Sequence, residues 1–397
     1  MNLTLIDPFR SLDVPEAIEH TLVDPAGTKA NCAQFNRRGT LLAVGCQAGQ
    51  VHIWDFQTKS IARSLLQHKQ TVNSIGWSRS GKKILSCSND GSVILWDIPS
   101  TSIEKRIDFK NPVLNAQLHP RDVNFCLMCP VGSSPILCDF RDMSKKTILE
   151  NENTSLGCTY TASFNRKGEK IFIGDNSGML TIVDYKTMKV ERTIKIASSN
   201  VTIKQIEFSK NCKQMLINSS DKIIRLYSLD TFQQIREYQD SVNRVQWKKC
   251  CFSTNNEYVV CGMQHKSIHS IFIWSTSGVL VKDLEGPKEG LLDVIWHPLS
   301  PTIVSISQYG VIHVWNAYYA ENWSSFAPDF TELEENEEYI EKEDEFDFKD
   351  EDIVKKILPG EEEEMVDVVD NEKIPEFSSD EEEDPFCFST IPIPEKK

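Results

Sequence analysis

Three residue types of an acyl-transfer triad fall close together at His68, Ser86 and Asp90. In such a triad the carboxylate orients the imidazole, and the imidazole takes the serine proton. Ser86 lacks the Gly-x-Ser-x-Gly turn that would push its hydroxyl out of a sheet. It has instead a fourth polar neighbour, Trp96. Asp90 can orient His68, His68 can reach Ser86, and Ser86 can accept the Trp96 indole N–H. Such a relay satisfies groups that would otherwise be buried and unpaired, so it reads as a strut rather than a reaction centre. Cys126-Leu-Met-Cys129 has the spacing of half a zinc knuckle, but no second Cys or His pair follows at a suitable distance. The 12 cysteines show no framework spacing, and Cys46, Cys87 and Cys261 sit in apolar runs. They read as reduced core thiols of an intracellular protein. The sequence has no Gly-x-x-x-x-Gly-Lys-Ser/Thr loop, no His-Glu-x-x-His and no Gly-rich signature for a methyl donor. No catalytic residue, metal, cofactor or small-molecule substrate is therefore expected.

The elements that would hold this relay repeat along the chain. An apolar strand, a Gly/Asn/Asp turn and a second strand ending in an aromatic recur at Trp54, Trp96, Cys138, Val183, Tyr227, Trp274 and Trp315. The steps between them are 42, 42, 45, 44, 47 and 41 residues. A fixed period of this size is the mark of a propeller blade of four antiparallel strands. Blade two is the most regular, with strands expected at 72–77, 83–87 and 93–96. Its His68, Ser86, Asp90 and Trp96 resemble the hydrogen-bonded tetrad of WD repeats. Blade three is degenerate, with Cys138 in the tryptophan place, and blade six is expected to start at Val245-Gln-Trp247. The spacing predicts an all-β, seven-bladed WD40 propeller over residues 25–318. Blade seven ends at its third strand, so residues 1–24 are expected to close the ring, with Pro15–Leu22 as the missing outer strand. Closure removes a sheet edge that would otherwise template aggregation.

Charge divides the chain in two. Residues 327–397 hold 28 Asp and Glu against 7 Lys and Arg, a net of −21, whereas the rest has a net of +6. A mildly basic disc suits an acidic surface, and the acidic end suits a basic partner. High charge with few apolar residues predicts a C-terminal tail that is disordered alone. Isolated anchors interrupt the acid, among them Tyr339, Phe346, Phe348, Val366 and Val368. Such anchors fill partner pockets while the carboxylates match basic rims, so the tail reads as a string of linear motifs. Ser378 and Ser379 each precede a glutamate by three residues and suit an acid-directed kinase. Met1–Asp7 lacks the features of a secretory signal, and no run of 18 apolar residues occurs, so a soluble cytoplasmic or nuclear protein is expected, with no membrane partner.

The blades are followed by Glu321-Asn-Trp-Ser-Ser-Phe-Ala-Pro-Asp-Phe330, Glu345-Phe-Asp-Phe-Lys-Asp-Glu-Asp352, Glu364-Met-Val-Asp-Val368 and Ser378-Ser-Asp-Glu-Glu382. This ordered set resembles the retinoblastoma-binding protein 5 family and its fungal Swd-type counterparts. Val242-Asn-Arg-Val-Gln-Trp-Lys-Lys-Cys-Cys-Phe252 and Leu292-Asp-Val-Ile-Trp-His-Pro298 look like family segments too. The resemblance covers nearly the whole chain. It implies a nuclear, non-catalytic scaffold of SET/MLL-type (COMPASS) complexes that stimulates histone H3 lysine-4 methylation and so supports transcription regulation. Residues 319–353 would activate the SET domain, through Trp323, Phe326, Phe330 and Glu332, and bind a SPRY-domain subunit, through Glu345, Phe346, Asp347 and Phe348. Within 354–397, Val366, Asp367 and Val368 would dock on a second WD40 propeller. The resemblance also implies nucleosome contact through exposed arginines, with Arg225 and Arg244 at matching places and Lys288 where a further Arg would stand. A general WD-repeat adaptor with a merely solubilising tail is the alternative reading.

Overall fold

The computed structural model describes residues 14–148, 159–197, 201–240 and 245–317. Among these, 28 strands form seven four-stranded antiparallel sheets. Six sheets take their strands in chain order. The seventh is ordered Ala17–Leu22, Ile312–Asn316, Ile303–Ser307 and Leu291–Trp296, so the N-terminal strand closes the ring. Ile18 lies opposite Trp315 and Leu22 opposite Ile312, and the Glu16 amide donates to the Asn316 carbonyl at 2.9 Å.

The middle strands of a blade are buried on both faces. Leu41–Cys46 is buried at every position, which explains its continuous apolar run in place of the usual alternation. Each of seven apolar clusters joins residues of two adjacent blades, as Ile84, Ile94 and Trp96 of blade two do with Ala43, Ile53 and Val51 of blade one. A blade therefore has no private core, and the disc is stable only as a closed whole.

In all seven blades the pairing of the innermost strand slips by one residue after its first pair. The bulge re-aims side chains toward the next blade. Asn31 Nδ2 donates to the Val72 carbonyl and Asn73 Nδ2 to the Val113 carbonyl, both at 2.8 Å. One position further on, Gln205 exchanges two hydrogen bonds with the Cys250 backbone. At the equivalent places, Lys249 Nζ lies 2.9 Å from Asp293 Oδ1, and Asp293 Oδ2 accepts the Ala33 amide at 3.0 Å. These polar stitches run between blades where no backbone ladder does.

Blade six differs from the sequence expectation. Its inner strand is Trp247–Phe252, and Val245 and Gln246 precede it. Trp247 is the first residue of the strand, opposite Met263, as Val72 is in blade two. The aromatic that ends the strand, as Trp77 and Trp296 do, is Phe252. Matching Trp247 to those tryptophans by residue type alone misplaces the strand by five positions. Trp247 is fully buried, edge-on to Phe272, and its Nε1 donates to the Lys222 carbonyl at 2.9 Å.

Candidate interaction faces

The blade-two tetrad is a closed relay. Trp96 Nε1 donates to Ser86 Oγ at 2.8 Å, and Ser86 Oγ lies 2.7 Å from His68 Nε2. On the other side His68 Nδ1 lies 2.7 Å from Ser92 Oγ, which donates to Asp90 Oδ1 at 2.6 Å. With its proton given to Asp90, Ser92 accepts from His68 Nδ1, so His68 Nε2 accepts the Ser86 hydroxyl. The expected link from Asp90 to His68 thus runs through Ser92, with a direct Nδ1–Oδ2 separation of 3.6 Å. Burial raises the Asp90 carboxyl, but hydrogen bonds from the Ser92 hydroxyl and from the Lys69 and Ser92 amides outweigh it and hold its pKa to about 2. Burial keeps His68 below its ordinary value against the pull of Asp90. Ser86 is fully enclosed and engaged on both sides, the geometry of a strut.

Blade seven builds the same relay from a different source. Trp315 Nε1 donates to Ser305 Oγ at 2.8 Å, and His269 Nε2 lies 2.8 Å from that oxygen. His269 comes from the loop between the second and third strands of blade six, where blade two has Gly91. Gly286 makes this possible: its missing side chain leaves room for the imidazole, since a Cβ there would stand 3.0 Å from His269 Cδ2. His269 and His313 are 1 % and 4 % exposed, with ring centres 5.4 Å apart. His269 Nδ1, both His313 nitrogens and Glu289 Oε2 are buried without partners. Burial, and then the neighbouring His313, push the pKa of His269 down to about 4. Sequence reasoning missed His269, because its role depends on a neighbouring blade. The only local signal was the long loop 264–269.

The two cysteines of the knuckle-like spacing point apart. Cys126 packs between blades two and three beside Cys138, and Cys129 between blades three and four. The hydrogen bond with Cys138, and then burial, raise the Cys126 thiol, and burial raises Cys129 to about 12, so neither is poised as a ligand or nucleophile.

A family profile described as Vps42 beta-propeller matches residues 29–125, which supports the blades alone. Retinoblastoma-binding-like protein E of Dictyostelium discoideum is 55 % identical, over 98 % of this chain and 84 % of that one. The retinoblastoma-binding protein 5 homolog of Drosophila melanogaster is 39 % identical, over 99 % and 82 %. Set1 complex component swd1 of Schizosaccharomyces pombe is 40 % identical, over 88 % and 91 %. The chain belongs to the retinoblastoma-binding protein 5 family. Among solved structures, the Cps50 (Swd1) beta-propeller domain of Myceliophthora thermophila has a TM-score of 0.70 at 28 % identity, covering 77 % of this chain and all of that one.

As a retinoblastoma-binding protein 5 relative, the chain is expected to present exposed basic residues from the disc. Arg225, expected to be exposed, is only 5 % exposed. Its guanidinium donates to Ser219 Oγ at 2.8 Å and pairs with Asp221 and Glu237. It braces blade five and does not face outward. Lys288 is exposed on the loop between blades six and seven. On the same face of this family member, Lys204 and Lys248 occupy the bulge positions of blades five and six, and Lys222 and Lys266 their turns, all exposed. Burial, and then Lys248, lower the Lys204 pKa. Arg244 lies outside the described residues, as do Trp323, Phe326, Phe330, Glu332, Glu345, Phe346, Asp347, Phe348, Val366, Asp367 and Val368.

Proposed function

We propose that this chain is a non-catalytic scaffold subunit of a SET/MLL-type (COMPASS) complex, located in the nucleus, that stimulates methylation of histone H3 lysine 4. One observation carries the reading: similarity to the relatives runs over 98 % of the chain in the Dictyostelium protein and 99 % in the Drosophila protein. It therefore takes in most of the sequence beyond the blades, where the motif-like segments lie. The name of the Schizosaccharomyces relative, a Set1 complex component, supports the assembly.

In this reading the disc is a stiff platform and the tail a multivalent ribbon. Residues 319–353 engage the SET domain through Trp323, Phe326, Phe330 and Glu332, and the SPRY-domain subunit through Glu345, Phe346, Asp347 and Phe348. Residues 354–397 reach a second WD40 propeller through Val366, Asp367 and Val368. Tethering on one chain raises effective concentrations to about millimolar, so motifs of modest affinity add into a stable assembly. Ordering a segment against the SET domain favours its substrate-competent state. Nucleosomal phosphate is met by the lysines of blades five to seven, including Lys288, and by Arg244. Lysines act there as point charges without the bidentate fork of arginine.

The test is reconstitution of the methyltransferase complex with the full chain and with a chain lacking residues 319–353. Loss of stimulated histone methylation with the disc still folded supports the reading. Undiminished activity overturns it.

A further inference from the structure

The rim of blade six carries an uncovered apolar edge. Val279, Leu280 and Val281 are 63 %, 43 % and 46 % exposed, at the start of the outer strand Leu280–Glu285. Among the described residues that strand pairs only with Ser270–Ser275, so its far edge presents free backbone donors and acceptors.

The N-terminal chain arrives at this rim. Lys282 Nζ, on the outer strand, donates to Glu16 Oε1 at 2.6 Å. Two residues earlier, Val14 packs into the cluster that joins blades six and seven, beside Tyr258 and Trp296, and Pro15 is buried. Traced backward from the closing strand, the chain leaves blade seven for blade six. The residues before it carry Leu3, Leu5, Ile6 and Phe9. They need an apolar surface, and this rim offers an exposed one on the strand that Glu16 already touches through Lys282.

We propose that residues 1–13 dock along the outer edge of blade six, covering Val279, Leu280 and Val281. Thirteen residues span about 40 Å when extended, ample for a six-residue strand of about 20 Å. Asn2-Leu-Thr-Leu5 alternates polar and apolar residues as an added edge strand would, and Pro8, with no amide to donate, suits the unpaired side of such an edge. The docking continues an interface that Glu16 and Lys282 already begin. It fastens the closing strand to two blades and covers the exposed edge.

The experiment uses the full chain. Arg10 is the one tryptic site within residues 1–13. Docking should slow cleavage after Arg10 by about tenfold relative to the Leu280→Asp chain, since an opening cost of about 1.4 kcal/mol is a factor of ten. Phe9→Asp should match Leu280→Asp from the other side of the contact. Removing residues 2–12 leaves the closing strand intact and should speed hydrogen exchange at 280–285. Equal cleavage in the wild-type and Leu280→Asp chains, or exchange at 280–285 indifferent to the truncation, overturns the proposal. In that case the edge is open to another protein.

Discussion

Acidification to pH 5.5 should weaken the disc through His269. Folded, its pKa lies near 4, because burial and His313 disfavour the imidazolium; the ordinary value is 6.5. The unfolded chain therefore binds more protons, and stability is full above pH 6.5 and falls as pH drops toward 4. Between pH 7.5 and 5.5 the difference is about 1.3 kcal/mol from this residue alone, by proton linkage between the two values. His52, His68, His297 and His313 are also held low, chiefly by burial, and act with the same sign. Carboxylates such as Asp90, held to about 2, lose their contribution only below the ordinary value of 3.8, so the histidine window stands apart. The assay is urea unfolding followed by tryptophan fluorescence at both pH values, for wild type and His269→Gln. The glutamine chain is less stable at pH 7.5, having lost the ring that bonds Ser305 and stacks on Trp315. Its stability should fall about 1.3 kcal/mol less on acidification. Equal slopes in the two proteins, or an imidazole of His269 that titrates near 6.5 by NMR, would refute the reasoning.

Ser86→Ala strands the Trp96 indole N–H and the His68 ring nitrogen in a closed site, and should cost about 1–3 kcal/mol in urea unfolding. Asp293→Ala removes the acceptor of two backbone amides and the partner of Lys249 at the seam of blades six, seven and one. A loss of about 2–4 kcal/mol is expected, with the melting of the whole disc lowered in one transition, read by calorimetry. Phe346→Ala combined with Phe348→Ala should weaken binding of the SPRY-domain subunit and lower methylation without moving the melting temperature, and wild-type binding would remove those anchors from the scheme. Deleting residues 1–24 takes out Ala17–Leu22 and should destabilise all seven blades together. An unchanged melting temperature would count against closure by this strand.

The regularities legible in the sequence are those set by neighbours along the chain. Turns with glycine at positive φ, such as Gly91, and Trp54, Trp96 and Trp315 one residue before the ends of their strands set the period and so the number of blades. The missing outer strand of blade seven could be supplied only by an unassigned segment of the right pattern, which singled out Pro15–Leu22. Residue type misled where a tryptophan could stand at either end of a strand: Trp247 resembles Trp77 and Trp296, but Phe252 holds their place. Arg225 matches an outward-facing position in the resemblance, yet Ser219, Asp221 and Glu237 enclose it.

What the chain order alone determined is the toroid, because the apolar strand runs, turn chemistry and the repeat length are local and recur seven times. What only the tertiary structure decided is which blade serves which. His269 leaves one blade to complete the relay of the next, Asp293 joins the last blade to the first, and Lys282 meets Glu16 across most of the chain. These partners are brought together by ring closure, so no spacing along the sequence encodes them.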